Sequence, residues 1–170
     1  SIGDQGLFEQ MDDADNFYRF YANPSGQLVY EVKNNGILSK ASIPLNSITP
    51  SRAYHYTVVR LTDGTLKIYL DGVSQSLDYH GTTGSFNIPV LANSLTIGYS
   101  KNAYLLGFLD EFRMSKGIDR TSQSTDKLYI NSGSGQTTFA VPTTEYSADL
   151  NASILLHFNA EASLTTVTNN

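Results

Sequence analysis

Hydrophobic and polar residues alternate along much of the chain, with a period of two residues. The alternation is clear in residues 17–22 and 27–33, where Leu28, Tyr30 and Val32 fall on one side. A period of two is typical of a β-strand that buries one face. An apolar period of about 3.6 residues never persists for three turns, so the sequence predicts strands and at most short helices.

Further strand patterns are separated by turn signals rich in glycine, proline and asparagine. We predict strands at residues 6–10, 37–45, 73–79, 94–99 and 104–114. Turn signals lie at residues 24–26 and 34–36, and at Gly81 and Gly84. Strands that recur about every 8 to 15 residues with turns between them indicate an all-β fold, an antiparallel β-sandwich or barrel.

The most regular stretch, residues 54–72, predicts a β-hairpin. Asp63 and Gly64 suit a two-residue type I′ turn, because both accept positive φ values. This turn would place an apolar face on one side, formed by the pairs Leu61 with Leu66, Val59 with Ile68, and Thr57 with Leu70. The other face would be mixed and open to water or a ligand, with the pairs Arg60 with Lys67, Val58 with Tyr69, and Tyr56 with Asp71.

Composition narrows the class of protein. The chain has 170 residues, 40% of them hydrophobic and 16% charged, with 11 Tyr and 13 Gly, which favours one all-β domain. A net charge of −5 without a basic cluster argues against a nucleic-acid partner. Cysteine is absent, which excludes disulfides.

No segment reaches the roughly 18 to 20 apolar residues of a membrane span. No signal peptide is visible, and the first residue, Ser1, suggests a piece of a longer polypeptide.

An acidic turn at residues 11–16 holds three carboxylates. Asp12, Asp13 and Asp15 supply the oxygen ligands that a hard cation such as calcium prefers. The alternative is a solvated loop, which the incomplete ligand spacing favours. We expect no required cofactor, with calcium as the candidate ion.

Four segments resemble a known module. YHYTVVR (54–60), TLKIYLDGV (65–73), SLTIGYS (94–100) and GFLDEFRMSKGI (107–118) follow one another as in laminin-G-like or concanavalin-A-like jelly rolls, in the pentraxin-like form found in phage and viral fibre proteins. The resemblance covers about residues 6–120. The family's strand usually opens with Trp, and Tyr54 replaces it here. The implied fold is an antiparallel β-sandwich of jelly-roll type, a fold that hosts lectins, glycosidases, adhesion modules and spacers.

The resemblance also divides the chain. We predict a jelly-roll domain at 1–120, a connector at 121–152, and a strand at 153–170 that closes the sandwich or opens a following module. The segment ILLHFN (154–159) resembles a strand that begins such modules in tandem fibres, and no strand of this kind is visible at the start of the present module. Either the sandwich is incomplete at its N-terminus, with its first strands on a preceding segment, or the ILLHF strand closes it. Because an uncovered β edge is avoided in isolated domains, we expect residues 154–158 to pair within this fold or with a neighbouring copy.

Catalysis has weak support in the sequence. Glycosidases of this fold place two carboxylates around one sugar bond. Asp110 and Glu111 are adjacent, so on a strand they would point to opposite faces, with Glu111 free to pair with Arg113. His55 and His157 are expected to be hydrogen-bonded core residues, and His80 lies in a predicted loop. We therefore expect no catalytic residues.

Binding has better support than catalysis. Aromatic faces together with amide and carboxylate groups hold sugars. The candidates on the mixed hairpin face are Tyr56, Tyr69 and Asp71, and those in the next loop are Tyr99, Asn102 and Tyr104. The alternative for each tyrosine is a packing role in a strand.

We expect a non-catalytic module of an extracellular or virion-surface structural protein, such as a fibre, appendage or adhesin. Its partners would be a glycan or a protein, together with neighbouring copies. Two alternatives are a purely architectural module in a multimeric assembly and a glycoside hydrolase.

Overall fold

The computed structural model describes residues 3–61, 64–81, 86–116 and 152–157, with a few single positions between 138 and 150. Thirteen strands and no helix occur in these residues. They are β1 (Gln5–Asp13), β2 (Asn16–Ala22), β3 (Leu28–Asn34), β4 (Ile37–Ser42), β5 (Tyr56–Arg60), β6 (Leu66–Leu70), β7 (Val73–Ser74), β8 (Asp78–Gly81), β9 (Thr96–Ile97), β10 (Tyr99–Ser100), β11 (Ala103–Tyr104), β12 (Phe112–Ser115) and β13 (Ala152–Leu156). The chain forms two compact units, residues 1–106 and 107–170.

The first unit is built on a six-stranded antiparallel sheet in the order β8-β4-β3-β2-β1-β9. One face of this sheet carries the apolar positions that the alternation predicts. Leu28, Tyr30 and Val32 are all at most 4% exposed. Phe20 packs against Tyr30 with ring centroids 6.3 Å apart. The all-β prediction is thus confirmed, and the alternating segments supply its core.

A three-stranded sheet, β5-β6-β7, covers part of that core. Leu66 is 2% exposed and Ile68 is fully buried. The ring of Tyr56 meets the ring of Phe20 edge to face at 6.5 Å, so the apolar faces of the two sheets pack together. Antiparallel sheets packed in this way confirm the predicted β-sandwich.

The predicted register of the β5–β6 hairpin is wrong by one residue. Val58 lies opposite Ile68, and Arg60 lies opposite Leu66. Leu61 donates its amide hydrogen to the carbonyl of Thr65, so three residues connect the strands instead of two. Gly64 has a φ of 87°, which is typical of the last position in a three-residue turn.

Three predicted strands are interrupted. Residues 73–79 divide into β7 and β8, which belong to different sheets. The other two contain a residue with left-handed backbone geometry. Residues 94–99 divide into β9 and the start of β10 at Gly98, whose φ is 77°. Residues 104–114 divide into β11 and β12, and Glu111 just before β12 has a φ of 52°. A residue in the left-handed region turns the chain out of the extended conformation, so neither segment continues as one strand.

The second unit contains the ribbon of β12 and β13. Phe112 lies opposite Leu156, and Met114 lies opposite Ile154. This pairing confirms that the ILLHF segment pairs within the chain over its described residues. Phe158 lies outside the described residues, as does most of the predicted connector at 121–152, and the predicted domain bounds stay a prediction.

Candidate functional site

Three of the predicted binding residues meet on one tight hairpin formed by β10 and β11. Lys101 and Asn102 form its turn, and their φ values of 52° and 60° are those of a type I′ turn. The turn places Tyr99 opposite Tyr104, with ring centroids 4.9 Å apart. The Tyr99 hydroxyl donates to Asn102 Oδ1 over 3.2 Å. We call Tyr99, Asn102 and Tyr104 the tyrosine platform.

Much of the tyrosine platform faces solvent. Tyr104 is 73% exposed, Asn102 is exposed and Tyr99 is half-buried. Within the described residues, the Asn102 amide nitrogen and the Tyr104 hydroxyl have no hydrogen-bond partner in the protein. The platform thus presents an aromatic ring, an amide donor and a hydroxyl to a ligand.

Close backbone packing against β1 fixes the position of this hairpin. A Cβ atom on Gly6 would lie 2.0 Å from the Ser100 nitrogen and 2.4 Å from the Ala103 oxygen. Only glycine leaves room for the hairpin backbone at this point of β1. The Leu106 amide also donates to Gln5 Oε1 at 2.6 Å, which ties the chain after β11 to the same strand.

Lys101 provides a second anchor for the hairpin. Its ammonium nitrogen is 3.0 Å from Asp4 Oδ2 and 3.3 Å from the Tyr21 hydroxyl, and it lies 4.5 Å from the centre of the Tyr21 ring. Its backbone N–H donates to Glu9 Oε2 at 3.0 Å. The side chain is therefore directed back to the sheet and away from the tyrosine platform.

The polar face of the six-stranded sheet carries a row of four charged residues and one histidine, which the sequence did not predict. The row crosses five neighbouring strands and consists of Glu9, Arg19, Glu31, Lys40 and His80, each paired with the next. In this charge row, Glu9, Arg19, Glu31 and Lys40 occupy polar positions of predicted strands, whereas His80 was predicted to lie in a loop. Those polar positions were the available signal, but recognising the row needs the register of all five strands.

Glu31 lies at the centre of the charge row and is only 4% exposed. Its carboxylate accepts hydrogen bonds from Arg19 Nε and the Tyr21 hydroxyl, both at 2.6 Å, and lies 3.2 Å from Lys40 Nζ. Burial alone would raise the pKa of Glu31. The Tyr21 hydrogen bond and the charges of Arg19 and Lys40 outweigh burial and lower that pKa below 4.5. The ionised carboxylate thus holds the face together.

The other three predicted binding residues do not form one surface. In the observed register Tyr56 and Tyr69 lie on opposite faces of the hairpin. Tyr69 is fully buried, so its predicted place on a ligand-accessible face is wrong. Tyr56 stacks against Tyr54 at 6.2 Å, and burial raises the pKa of Tyr56 to about 12. Asp71 accepts the His55 amide hydrogen and a bond from Arg52 Nη2, both at 2.8 Å.

The acidic turn directs its three carboxylates to different partners. Asp12 accepts hydrogen bonds from the backbone N–H groups of Ala92 and Asn93. Asp13 accepts from the N–H of Asp15, while the Asp15 carboxylate is 2.7 Å from Lys33 Nζ. Across the described residues, no three His, Cys, Asp or Glu side chains are grouped to hold a metal ion. The turn therefore offers a calcium ion no assembled ligand set.

The acidic pair at the start of β12 differs from its expected arrangement. Glu111 has left-handed backbone geometry outside the strand, so strand alternation does not govern it and Asp110. The Glu111 carboxylate is 2.6 Å from His157 Nδ1, and this hydrogen bond raises the pKa of His157. His157 is 32% exposed and was wrongly predicted to be a core residue. His80, predicted to lie in a loop, belongs to β8.

Comparison with known proteins identifies the family. A family model described as the concanavalin A-like lectin/glucanases superfamily matches residues 3–124. Searches among curated proteins and solved structures gave no significant match. Among the residues that the structure describes, no helix has the length and apolar character that a bilayer crossing requires. The match confirms the predicted resemblance: the chain belongs to the concanavalin A-like lectin/glucanase superfamily, whose fold is that of a carbohydrate-binding or related module.

Proposed function

We propose that the protein is a non-catalytic carbohydrate-binding module, and that the tyrosine platform is its binding site. The observation that carries the proposal is the meeting of Tyr99, Asn102 and Tyr104 on a rigid, exposed hairpin. Sugars pack their apolar C–H faces on aromatic rings and exchange hydrogen bonds with amides and hydroxyls. The platform supplies all three kinds of group.

Preorganisation of the hairpin supports binding at this place. The type I′ turn, the contact with Gly6 and the Lys101 anchor hold the platform in position before a ligand arrives. A preformed site loses less conformational entropy on binding than a flexible loop does. A small platform can therefore bind measurably, although each of its contacts is weak.

The carboxylates near the tyrosine platform are engaged in contacts within the protein, which supports binding without catalysis. Asp4 and Glu9 both hold Lys101, and Glu31 is buried among its donors. A glycosidase needs two carboxyl groups free to reach opposite sides of one sugar bond. We propose that these carboxylates stabilise the fold and do not act on the ligand.

The biological setting that we propose is an extracellular or virion-surface structural protein, such as a fibre, appendage or adhesin. Its support is the order of the four motifs at 54–60, 65–73, 94–100 and 107–118, which resembles modules of phage and viral fibre proteins. Immunogold labelling with antibodies against the chain tests this setting. Labelling confined to the cell interior would contradict it.

A glycan microarray tests the binding function. We expect wild-type protein to bind a defined set of sugars, and Tyr104→Ala to weaken that binding at least about tenfold, or about 1.4 kcal/mol. Tyr79→Ala is the matched control, because Tyr79 is also exposed but lies on β8, an edge strand of the six-stranded sheet, and not on the β10–β11 hairpin. No sugar binding together with a multimer in solution would instead favour a purely architectural module.

The non-catalytic assignment has its own test. Incubation with the bound polysaccharide should release no new reducing ends. Turnover that disappears in Asp110→Asn or Glu111→Gln would replace this assignment with a glycoside hydrolase.

A further inference from the structure

The basic residues of the first unit are almost all paired with carboxylates. Seven Lys and Arg residues lie in the described part of residues 3–106, and five of them form ion pairs. The pairs are Arg19 with Glu9 and Glu31, Lys40 with Glu31, Lys33 with Asp15, Arg52 with Asp71, and Lys101 with Asp4. Arg60 donates to the Phe86 carbonyl and to Asn87. Within the described residues, only Lys67, on β6 of the three-stranded sheet, has neither an ion pair nor a side-chain hydrogen bond.

This pairing matters most at the tyrosine platform, where Lys101 is the nearest basic residue in sequence. Its ammonium group is bound to Asp4 and to the Tyr21 hydroxyl. A sugar carboxylate or sulfate is bound most strongly by a positively charged donor, usually Arg or Lys. Lys101 would have to leave both partners to serve an acidic ligand.

The charges next to Lys101 oppose an acidic ligand further. Asp4 and Glu9 both lie against this turn residue, Asp4 at its ammonium group and Glu9 at its backbone N–H. Asp4 balances the charge of the Lys101 ammonium group, and the Glu9 carboxylate at the Lys101 backbone N–H lies 3.7 Å from Arg19 Nη1, so the turn of the hairpin carries no excess positive charge. The Asp4 and Glu9 carboxylates would repel the negative charge of an acidic sugar, so they disfavour the binding of anionic sugars.

The groups that remain available on the platform are uncharged. The Asn102 amide nitrogen and the Tyr104 hydroxyl have no protein partner in the described residues, and the Tyr104 ring is exposed. Neutral donors and acceptors match the hydroxyl groups of a hexose. We propose that the tyrosine platform selects neutral hexose glycans and discriminates against their acidic counterparts through the Asp4–Lys101 ion pair. This inference rests on the proposed carbohydrate-binding function.

The test is a microarray that carries neutral hexose oligosaccharides beside the same oligosaccharides oxidised to the carboxylate at C6. Affinities for each matched pair are then measured by titration calorimetry at one fixed salt concentration. We expect wild-type protein to prefer the neutral member at least about tenfold. Tyr104→Ala should remove most of this binding, which assigns it to the platform.

Asp4→Asn tests the cause of the preference. It removes the negative charge beside the Lys101 ammonium group while keeping a side chain of similar size, and the contacts of Lys101 with Tyr21 remain. The positive charge of Lys101 is then no longer balanced by Asp4, so binding of the acidic member should rise and the preference should fall about tenfold. Asp78→Asn is the matched control, because it makes the same change in net charge on β8 at the opposite edge of the sheet. The control should keep the wild-type preference, and thermal unfolding confirms that both variants are folded.

The outcomes separate this inference from the proposed function. Tight Tyr104-dependent binding of the acidic member by wild type would overturn the selectivity and leave carbohydrate binding intact. An unchanged preference in Asp4→Asn would overturn the role of the ion pair. Absence of binding to every sugar would overturn the proposed function and this inference with it.

Discussion

At the scale of single residues, the main departure from the sequence pattern is Glu31. A charged residue that is 4% exposed would be costly to bury without partners. Arg19, Tyr21 and Lys40 all contact its carboxylate, so each oxygen has donors. Removing one partner of a buried ion pair leaves the opposite charge uncompensated. The protein then loses more stability than the intact pair contributes to it.

Glu31→Gln should lower the free energy of unfolding by about 3 kcal/mol at neutral pH, because Arg19 and Lys40 lose their shared negative partner. The measurement is urea unfolding of wild type and variant. Asp78→Asn is the control, since Asp78 is exposed and has no ion pair in the described residues. Equal midpoints for wild type and Glu31→Gln would contradict this prediction.

The same carboxylate should make stability depend on pH. The pKa of Glu31 in the folded protein lies below its ordinary value of 4.5. Its contribution is therefore complete above about pH 4.5 and is lost as the pH falls through the folded-state pKa. Unfolding midpoints measured between about pH 6 and pH 3 should fall more steeply for wild type than for Glu31→Gln, which has no proton to take up at this position. Parallel curves would show that Glu31 does not contribute to the acid transition.

Residues close in sequence were easier to predict than residues brought together by the fold. The proximity of Tyr99, Asn102 and Tyr104 could be expected because one short turn joins them, while their role in binding stays a prediction. Glu31 and its donors come from β2, β3 and β4, so their contacts depend on the strand register. Tyr69 was misplaced for a related reason: alternation gives the face of a strand but does not reveal whether both faces are buried.

At the scale of elements, turn geometry decided which predictions succeeded. Asn35 and Gly36 connect β3 and β4 with φ values of 49° and 80°, as a type I′ turn requires. Asp63 and Gly64 have the same type of sequence, yet the strands they join are connected by three residues. A glycine suits both the type I′ turn and the left-handed end of a three-residue turn, so the dipeptide alone leaves the register open by one residue.

The contact between Gly6 and the β10–β11 hairpin gives a sharp prediction about an element. Gly6→Ala should displace the hairpin, because its new methyl group would meet backbone atoms of Ser100 and Ala103. Overpacking of this kind costs about 1 to 3 kcal/mol. We expect that loss in the free energy of unfolding, together with weaker binding of the microarray sugars.

Gly3→Ala is the matched control for this substitution. A Cβ atom on Gly3 would have no atom within 4 Å, so stability and sugar binding should stay at wild-type values. If the Gly6→Ala variant bound sugars as tightly as the wild-type protein does, the position of the hairpin would not determine the binding site.

At the scale of the whole molecule, the alternating segments and the four motifs were enough to predict an all-β sandwich of the observed family. The prediction missed breaks in the extended chain at Gly98 and Glu111. A glycine inside a strand pattern is a local signal of a bulge or bend, so Gly98 could have been recognised, whereas Glu111 carries no such signal. The antiparallel ladder between β12 and β13 joins segments that are far apart along the chain. A pairing of this kind has to offset the entropy of closing a long loop, so its cross-strand apolar contacts matter.

The last prediction concerns this long-range ladder. Leu156 lies opposite Phe112 and is half-buried, so Leu156→Asp should place a charge against an aromatic ring and weaken the ribbon by about 1 to 3 kcal/mol. Ser153→Asp adds the same charge at an exposed position of β13 and should change stability by less than about 0.5 kcal/mol. Limited proteolysis should cleave the Leu156→Asp protein near β13 faster than either the control or wild type, because local opening of the strand exposes its backbone. Equal cleavage rates for the two variants would mean that β13 contributes its backbone hydrogen bonds but not its side chains to the closure of the ribbon.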